Sequence, residues 1–144
     1  MKISAVIPAY NEGDNIVNLV KRLQHVFSIL NIDFEIIIVV QDDDDTIEKL
    51  RVLKGTCIPN LKLLYFAEPL GVARAFKIGF NEIAKDTTHV LTMDGDLNHQ
   101  PEELPTFIEI INRKNTDIVI GSRYIKGGTM KGLPIWKYAL SRWV

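Results

Sequence analysis

Two aspartates separated by one glycine are the residues with the clearest chemistry. Asp94, Gly95 and Asp96 directly follow the apolar run His89 to Met93, which has the length of a buried strand. If that run belongs to an open α/β sheet, both carboxylates emerge at the edge where such sheets bind ligands. Mg²⁺ and Mn²⁺ prefer oxygen ligands, and Mg²⁺ is commonly held by one or two carboxylates together with phosphates. The pattern therefore indicates a site for a divalent cation that carries a diphosphate.

The same aspartates have a structural interpretation. Aspartate is common in turns because its side chain bonds nearby backbone amides, so residues 94–96 could simply form a turn that caps the next helix. His99 could ligate the cation or contact a phosphate. No second histidine lies nearby, however, and a capping or solvated role is more common for such a residue. These residues alone leave both interpretations open.

A second polar segment follows the first apolar run of the chain. Residues 8–12 have the sequence PAYNE, in which an aromatic side chain, an amide and an acid come directly after a proline. This segment could form a shelf for a flat base and its ribose. In the alternative interpretation Pro8 ends a strand, Asn11 or Asp14 caps the first helix, and Tyr10 only packs.

An arginine follows the last apolar run. Arg123 comes directly after Gly121 and Ser122, where its planar set of donors could bind a phosphate oxygen. A surface ion pair is an equally good interpretation of this residue. Its position after an apolar run, as with the other polar segments, suggests that a parallel sheet positions the candidate site.

Short apolar or β-branched runs alternate with segments of helical period. Apolar residues recur every three or four positions between Ile16 and Leu30, between Val72 and Ile83, and between Glu102 and Asn112, where Pro105 makes the start of the helix uncertain. This alternation predicts right-handed crossovers and a mainly parallel sheet with its ligand site beyond the strands' carboxyl ends. The five predicted strands are Ile3 to Ile7, Phe34 to Val40, Leu61 to Phe66, His89 to Met93 and Asp117 to Ile120.

The bulk composition limits the class of protein. The chain has 144 residues, 47% of them apolar and 24% charged, which predicts one globular domain. A formal charge of −1 provides no basic field for nucleic acid, and the single cysteine, Cys57, excludes an internal disulfide. The chain has no signal-peptide layout and no run of 18 apolar residues, so we expect a cytoplasmic protein.

Four segments in order resemble the motifs of family 2 glycosyltransferases, and within that family the dolichol-phosphate mannosyltransferase branch. They are residues 8–12 (PAYNE), 70–75 (LGVARA), 93–96 (MDGD) and 117–124 (DIVIGSRY). The resemblance covers nearly the whole chain and implies the GT-A fold, a Rossmann-like, mainly parallel sheet flanked by helices. It also implies a nucleotide-sugar-binding domain over residues 1–125.

The resemblance assigns roles to individual residues. Pro8, Tyr10 and Glu12 would contact the nucleoside of the donor, and Gly95 would lie at the diphosphate. Asp94, Asp96 and Asn98 would hold a Mg²⁺ or Mn²⁺ ion, and Asp96 would also be catalytic. Arg123 would bind the donor phosphates as a second catalytic group, and Arg142 would lie near the acceptor phosphate.

The chain departs from the family pattern in two respects. Family members usually have an Asp-Asp-Gly-Ser segment where this chain has the acidic run 42–45. An acid at this strand end would accept a hydrogen bond from the base. We expect that residue to be Asp42, with Gln41 and Asp43 as alternatives. Members of the branch also usually continue well past Trp143. We therefore expect residues 126–144 to begin an acceptor-side segment that is truncated here.

The resemblance implies transfer of a sugar, with inversion, from GDP-mannose or a UDP-hexose to a polyprenyl or dolichyl phosphate. The acceptor would lie at a membrane surface, which adds a peripheral position at the cytoplasmic face to the expected location. The tail is consistent with a flap at such a surface, because it combines glycines, basic groups and aromatic residues such as Trp136. Two alternatives remain open, namely a saccharide acceptor and a nucleotide-binding domain without turnover.

Overall fold

The computed structural model describes residues 1–41, 45–114 and 116–122. The chain divides into two compact units, Met1–Thr106 and Phe107–Val144. The first unit contains the sheet and most of the predicted site. Arg123, Arg142, Asp42, Asp43 and the predicted domain boundary at residue 125 lie outside the described residues.

The first unit is built on a parallel sheet of four strands in the order β3-β2-β1-β4. Each strand is followed by a helix or a helical turn, so the chain crosses back over the sheet before the next strand begins. The strands are β1 (Lys2–Tyr10), β2 (Asp33–Gln41), β3 (Leu61–Phe66) and β4 (His89–Thr92), and the helices are α1 (Gly13–Ile29), α2 (Thr46–Thr56) and α3 (Val72–Asn81). Helix α4 (Leu104–Lys114) begins at the end of this unit and continues into the second.

The two central strands are buried on both faces, which explains their continuous apolar sequence. Residues 36–40 of β2 are fully inaccessible, and residues 5–7 of β1 are equally inaccessible. Helix α1 covers one face with apolar side chains spaced three or four residues apart, namely Ile16, Leu19, Val20, Leu23, Val26 and Phe27. The strand and helix predictions for this part of the chain are confirmed, with most ends within three residues.

Helix α3 approaches the sheet through a glycine. A Cβ atom on Gly79 would lie only 2.4 Å from Cγ1 of Val6, so a side chain at this position would collide with β1. It would also lie in van der Waals contact with Cγ2 of Val39 in β2, at 3.4 Å. The missing side chain is what allows the helix axis to lie this close to the sheet.

Helix α2 was not among the predicted helices. Its buried apolar residues are Ile47, Leu50 and Leu53, a spacing of three residues that covers less than two turns of apolar face. The acidic run before it and the threonine that starts it look like a loop in sequence. The helix is stabilised by packing against the sheet and α1 rather than by a strong periodic pattern.

The prediction of a fifth strand at residues 117–120 is wrong. This segment has no strand structure, and Ile118 and Ile120 are 73% and 82% exposed. A short apolar run shows only a preference for burial, whereas a strand also requires hydrogen bonds from a neighbouring strand.

The third predicted helix does form, but Pro101–Glu103 is a 3₁₀ turn and α4 begins at Leu104. Pro105 therefore lies in the first helical turn, where its missing N–H breaks no helical hydrogen bond. Within the described residues, no helix has the length and apolar character needed to cross a membrane.

Candidate functional site

The parallel strands bring three of the predicted segments to one edge of the sheet. Tyr10 at the end of β1 pairs in register with Gln41 at the end of β2, and Gln41 pairs with Phe66 at the end of β3. On the other side of β1, the Met93 amide after β4 donates a hydrogen bond to the Val6 carbonyl. We call this edge, formed by the carboxyl ends of the strands, the carboxyl edge.

Gly95 joins the segment after β4 to the segment at the end of β1. It is buried, and a Cβ atom at this position would lie 3.1 Å from Cγ of Glu12, 3.3 Å from the Pro8 carbonyl oxygen and 3.5 Å from Cδ1 of Ile16. Glycine is therefore required for close approach of the two backbones. Two segments that lie more than 80 residues apart in sequence become direct neighbours.

The two aspartates on either side of Gly95 are exposed. No lysine or arginine among the described residues forms an ion pair with Asp94 or Asp96, whereas other acidic groups of this unit, such as Asp14 and Asp86, have such a partner. Uncompensated carboxylates at a ligand-binding edge have the oxygen chemistry that hard divalent cations require. The described residues thus fit a cation that is also bound by phosphate oxygens; they contain no cluster of three or more His, Cys, Asp or Glu that could hold a metal unaided.

Asn98 orients Asp96. The Asn98 backbone N–H donates to Oδ1 of Asp96 at 3.0 Å, and its side-chain Nδ2 donates to Oδ2 at 2.5 Å. Leu97 between them has a φ of +63°, in the left-handed region. The Asp94 N–H donates to Nδ1 of His99 at 3.3 Å. The segment is a hydrogen-bonded turn, as the structural interpretation predicted, but it does not cap the next helical element, whose N-cap is Gln100 without a side-chain capping bond. Both carboxylates of the turn are exposed.

The segment 8–12 does not have the predicted helix cap. Glu12 occupies the N-cap position of α1 without a side-chain capping bond, so neither Asn11 nor Asp14 caps this helix. Asn11 and Gly13 have φ values of +53° and +46°, which turn the chain sharply between strand and helix. Tyr10 is 49% exposed at the carboxyl edge.

Contacts from α2 hold this sharp turn. The Gly13 N–H donates to Oγ1 of Thr46 at 2.8 Å, and Lys49 forms 2.8 Å ion pairs with Asp14 and Asp45. These hydrogen bonds raise the pKa of Lys49 and lower the pKa of Asp14, so the charged forms predominate at neutral pH. Sequence reasoning missed Thr46 and Lys49, whose only signal was their position after the acidic run.

Gln41 anchors a third segment. Its side chain is buried, and its Oε1 accepts a hydrogen bond from the Leu70 N–H at 2.8 Å. Leu70 precedes Gly71, which has a φ of +77° and begins α3. Of the three residues considered for contact with the base, Gln41 therefore uses its side-chain oxygen to hold the start of α3 at the carboxyl edge.

Residues 4–134 match the model of Glycosyl transferase family 2. The chain belongs to this family. Most of the described residues lie within the match, including all those that form the carboxyl edge.

Family members similar to this chain carry names from the predicted branch. The chain is 36% identical over 143 residues to a dolichol-phosphate mannosyltransferase of Pyrococcus furiosus, covering 99% of this chain and 39% of that protein. It is 29% identical over 140 residues to a polyprenol monophosphomannose synthase of Mycolicibacterium smegmatis, covering 95% of this chain and 51% of that protein. The predicted family and branch are confirmed, and the chain spans about half or less of the length of these relatives.

Solved structures of another protein share the fold. TarS of S. aureus, residues 1–349 in complex with UDP-GlcNAc, superimposes with a TM-score of 0.65 at 18% identity, over 88% of this chain and 38% of that one. A second TarS structure gives a TM-score of 0.63 at 19% identity over 91% of this chain and 24% of that one. The prediction of a GT-A α/β fold is confirmed.

Proposed function

We propose that this chain forms the donor-binding part of an enzyme that transfers a sugar, with inversion, from GDP-mannose or a UDP-hexose to a polyprenyl phosphate. Membership of family 2 supports glycosyl transfer, and the names of the two relatives support mannose as the sugar and a lipid phosphate as the acceptor. The TarS complex with UDP-GlcNAc supports a nucleotide-sugar ligand for this fold.

The observation that carries the proposal is the contact of Gly95 with Pro8 and Glu12. A nucleotide sugar has a base and ribose at one end and a diphosphate near the other. The contact sets a segment suited to the nucleoside beside a segment suited to a cation and diphosphate. One extended donor can therefore span both segments along the carboxyl edge, where open α/β sheets bind their ligands.

The donor would lie with its base and ribose against residues 8–12, where Tyr10 presents an exposed aromatic ring. Stacking on such a ring tolerates different bases, so polar groups select the base. We assign that role to Asp42, which follows β2 directly. The preceding residue, Gln41, holds the start of α3 at the carboxyl edge through Leu70.

Asp94 and Asp96 would hold a Mg²⁺ or Mn²⁺ ion, which supplies charge stabilisation for the departing nucleoside diphosphate when bound. Asn98 keeps the Asp96 carboxylate in a fixed orientation through its two hydrogen bonds, and its amide oxygen is the atom with which it could ligate a cation. We assign Arg123 to the donor phosphates, where a guanidinium can bind two oxygens at once.

The acceptor would be a phosphate group rather than a hydroxyl. A lipid phosphate is already anionic at neutral pH, so it can attack the anomeric carbon without a general base. We assign Arg142 to this phosphate. The hydrocarbon part of such an acceptor would place the site at a membrane surface.

Transfer of label into lipid tests the proposal. The protein is incubated with Mn²⁺ and radiolabelled GDP-mannose or UDP-glucose, with polyprenyl phosphate in detergent micelles or with a soluble oligosaccharide. We expect label in the organic phase only with one of the two donors and the lipid phosphate present together.

The matched controls are Asp96→Asn, which removes a charge from the proposed site, and Asp33→Asn, which removes an exposed charge at the opposite end of β2. Asp96→Asn should abolish transfer and Asp33→Asn should not alter it. Label in the oligosaccharide instead would show that the acceptor is a saccharide and not a lipid phosphate. Donor binding with no transfer to either acceptor would show that the chain is a nucleotide-binding domain without turnover.

A further inference from the structure

An arginine in the middle of α1 holds the segment that follows the two aspartates. Nε of Arg22 donates to Oε1 of Glu102 at 2.8 Å, and NH2 contacts both Oε2 of Glu102 and Oε1 of Gln100, the latter at 2.6 Å. The guanidinium thus binds two side chains from the segment between β4 and α4. The hydrogen bond from Arg22 also lowers the pKa of Glu102, so this carboxylate is charged at neutral pH.

Gln100 carries this contact to the turn of residues 94–98. Its Nε2 donates to the Leu97 carbonyl oxygen at 2.8 Å. Leu97 has a φ of +63°, a conformation that is unfavourable for a residue with a side chain and persists only when neighbouring contacts hold it. Leu97 lies directly between Asp96 and Asn98, so its conformation sets the geometry of their two mutual hydrogen bonds.

We propose that Arg22 is a positioning residue that fixes the Asp96 carboxylate for the cation through Gln100 and Leu97. The inference rests on the proposed function, because the consequence of a misplaced Asp96 is weaker binding of a cation and nucleotide. Arg22 itself lies on α1, and its side-chain hydrogen bonds among the described residues go to Glu102 and Gln100, not to the candidate cation ligands. Its effect on Asp96 is therefore indirect.

The geometry distinguishes this role from that of an ordinary surface ion pair. The Arg22 side chain is 33% exposed, and an isolated pair at that exposure contributes little to stability. Arg22 instead binds two acceptors, and one of them continues the hydrogen-bond chain to a strained residue. We therefore expect a small effect on global stability and a large effect on the order of the turn.

The test compares Arg22→Met with Arg51→Met. Arg51 pairs with Glu48 within α2, so its variant also removes an arginine–glutamate pair without touching the turn. Amide hydrogen exchange of Asn98, whose N–H bonds to Asp96, reports the order of the turn in the absence of any ligand. Calorimetric titration of GDP and UDP, each with and without Mn²⁺, reports the metal site.

For Arg22→Met we expect faster exchange at Asn98 and roughly tenfold weaker Mn²⁺-dependent nucleotide binding, the lower end of the range for groups that orient metal ligands. Binding without Mn²⁺ and the thermal midpoint should change little, and Arg51→Met should resemble the wild type. Arg22→Lys should restore part of the lost nucleotide affinity and part of the protection from exchange at Asn98. The reason is that an ammonium keeps the charge but cannot form the forked contact.

The two proposals can fail separately. Unchanged exchange at Asn98 in Arg22→Met, or unchanged Mn²⁺-dependent binding in that variant while the wild type binds, contradicts the role of Arg22. A wild-type protein that is folded but binds neither nucleotide with Mn²⁺ contradicts the proposed function and, with it, a metal-directed role for Arg22.

Discussion

Gly95 is the residue on which the candidate site depends most. Its neighbours are the Pro8 carbonyl oxygen and the Glu12 side chain, so its lack of a Cβ sets the distance between the two halves of the proposed donor site. Many glycines in a fold of this kind serve only as turn residues. Gly95 also allows the segment 8–12 to lie directly beside the turn that carries Asp94 and Asp96.

Gly95→Ala should weaken nucleotide binding more than it weakens the fold. The new methyl group would lie 3.1 Å from Glu12 Cγ and 3.3 Å from the Pro8 oxygen, so the turn must move away from β1 by a few tenths of an ångström. We expect about a tenfold loss of Mn²⁺-dependent affinity for GDP or UDP, which corresponds to about 1.4 kcal/mol.

Calorimetry on Gly95→Ala beside Gly55→Ala provides the measurement. Gly55 lies in α2 with open space around it, so its variant tests the same chemical change without a collision. Equal nucleotide affinity in the two variants would show that the approach of the two segments does not determine binding.

At the scale of residues, the sequence predicted the location of exposed carboxylates but not the contacts that surround them. The spacing of Asp94 and Asp96 after an apolar run was enough to predict exposed carboxylates at the sheet edge, and the structure has them there. The contact of Asn98 with Asp96 and that of Gln41 with Leu70 depend on the path of each loop. A loop path is decided by tertiary neighbours, so single-residue patterns do not contain it.

Among the elements, β2 is tied to its surroundings by a buried carboxylate near its amino end. Oε1 of Glu35 accepts hydrogen bonds from Ser4 Oγ at 2.5 Å and from the Ala84 N–H at 2.8 Å, while Oε2 lies 3.1 Å from Nζ of Lys62. Burial alone would raise the pKa of Glu35, but these three donors outweigh it and hold the pKa below the ordinary value of 4.5. One side chain thus joins β1, β3 and the segment after α3.

Glu35→Gln should destabilise the protein by about 1–3 kcal/mol at pH 7, because Lys62 loses its charged partner and one polar contact is left imperfect. The pKa of Glu35 is lower in the folded than in the unfolded state, so its stabilisation is complete above pH 4.5 and is lost as the pH falls through the folded value. The difference between wild type and variant should therefore shrink below pH 4.5.

Urea unfolding at several pH values measures this effect. Glu48→Gln is the matched control, since Glu48 is exposed and its ion pair among the described residues is with Arg51 in the same helix. Such pairs within a helix contribute less than about 0.5 kcal/mol. A stability difference for Glu35→Gln that stays constant from pH 7 to pH 3 would exclude the assigned ionic role.

Helix α3 supplies the second prediction for an element. Gly79→Ala would place a methyl group 2.4 Å from Val6 Cγ1, so the helix must move off the central strands at a cost of about 1–3 kcal/mol or more. Thermal unfolding should show a lower midpoint for Gly79→Ala. Gly55→Ala should raise the midpoint slightly, because alanine favours helix over glycine by up to about 1 kcal/mol. A similar midpoint for both variants would mean that α3 is not packed against the sheet as described.

The sequence predicted elements well where local pattern and burial agree. Strands β1 and β2 are continuous apolar runs because both faces are covered, and α1 has an unbroken apolar stripe. Helix α2 was missed because its apolar face is short. The segment 117–120 was assigned as a strand because a short apolar run does not reveal whether a pairing partner is present. Both errors concern tertiary context rather than local preference.

Across the molecule, the buried ionic network and the proposed donor site lie at opposite ends of the same sheet. The amino ends of the strands carry the ionic and hydrogen-bonded network of Glu35, with a second pair between Lys2 and Asp86. The carboxyl edge has ion pairs of its own, from Lys49 to Asp14 and Asp45, but Asp94 and Asp96 have no cationic partner among the described residues. Family 2 membership gives this separation a functional meaning, because the edge with uncompensated charge is the one proposed to bind the donor.

Metal-dependent nucleotide binding tests this account most directly. GDP and UDP are titrated by calorimetry into the wild type, Asp96→Asn and Asp33→Asn, each with and without Mn²⁺. We predict that one nucleotide binds with strong Mn²⁺ dependence to the wild type and to Asp33→Asn, and that Asp96→Asn loses at least tenfold in affinity, about 1.4 kcal/mol. Equal Mn²⁺-dependent binding by Asp96→Asn, or none by the folded wild type, would contradict a donor site at the carboxyl edge.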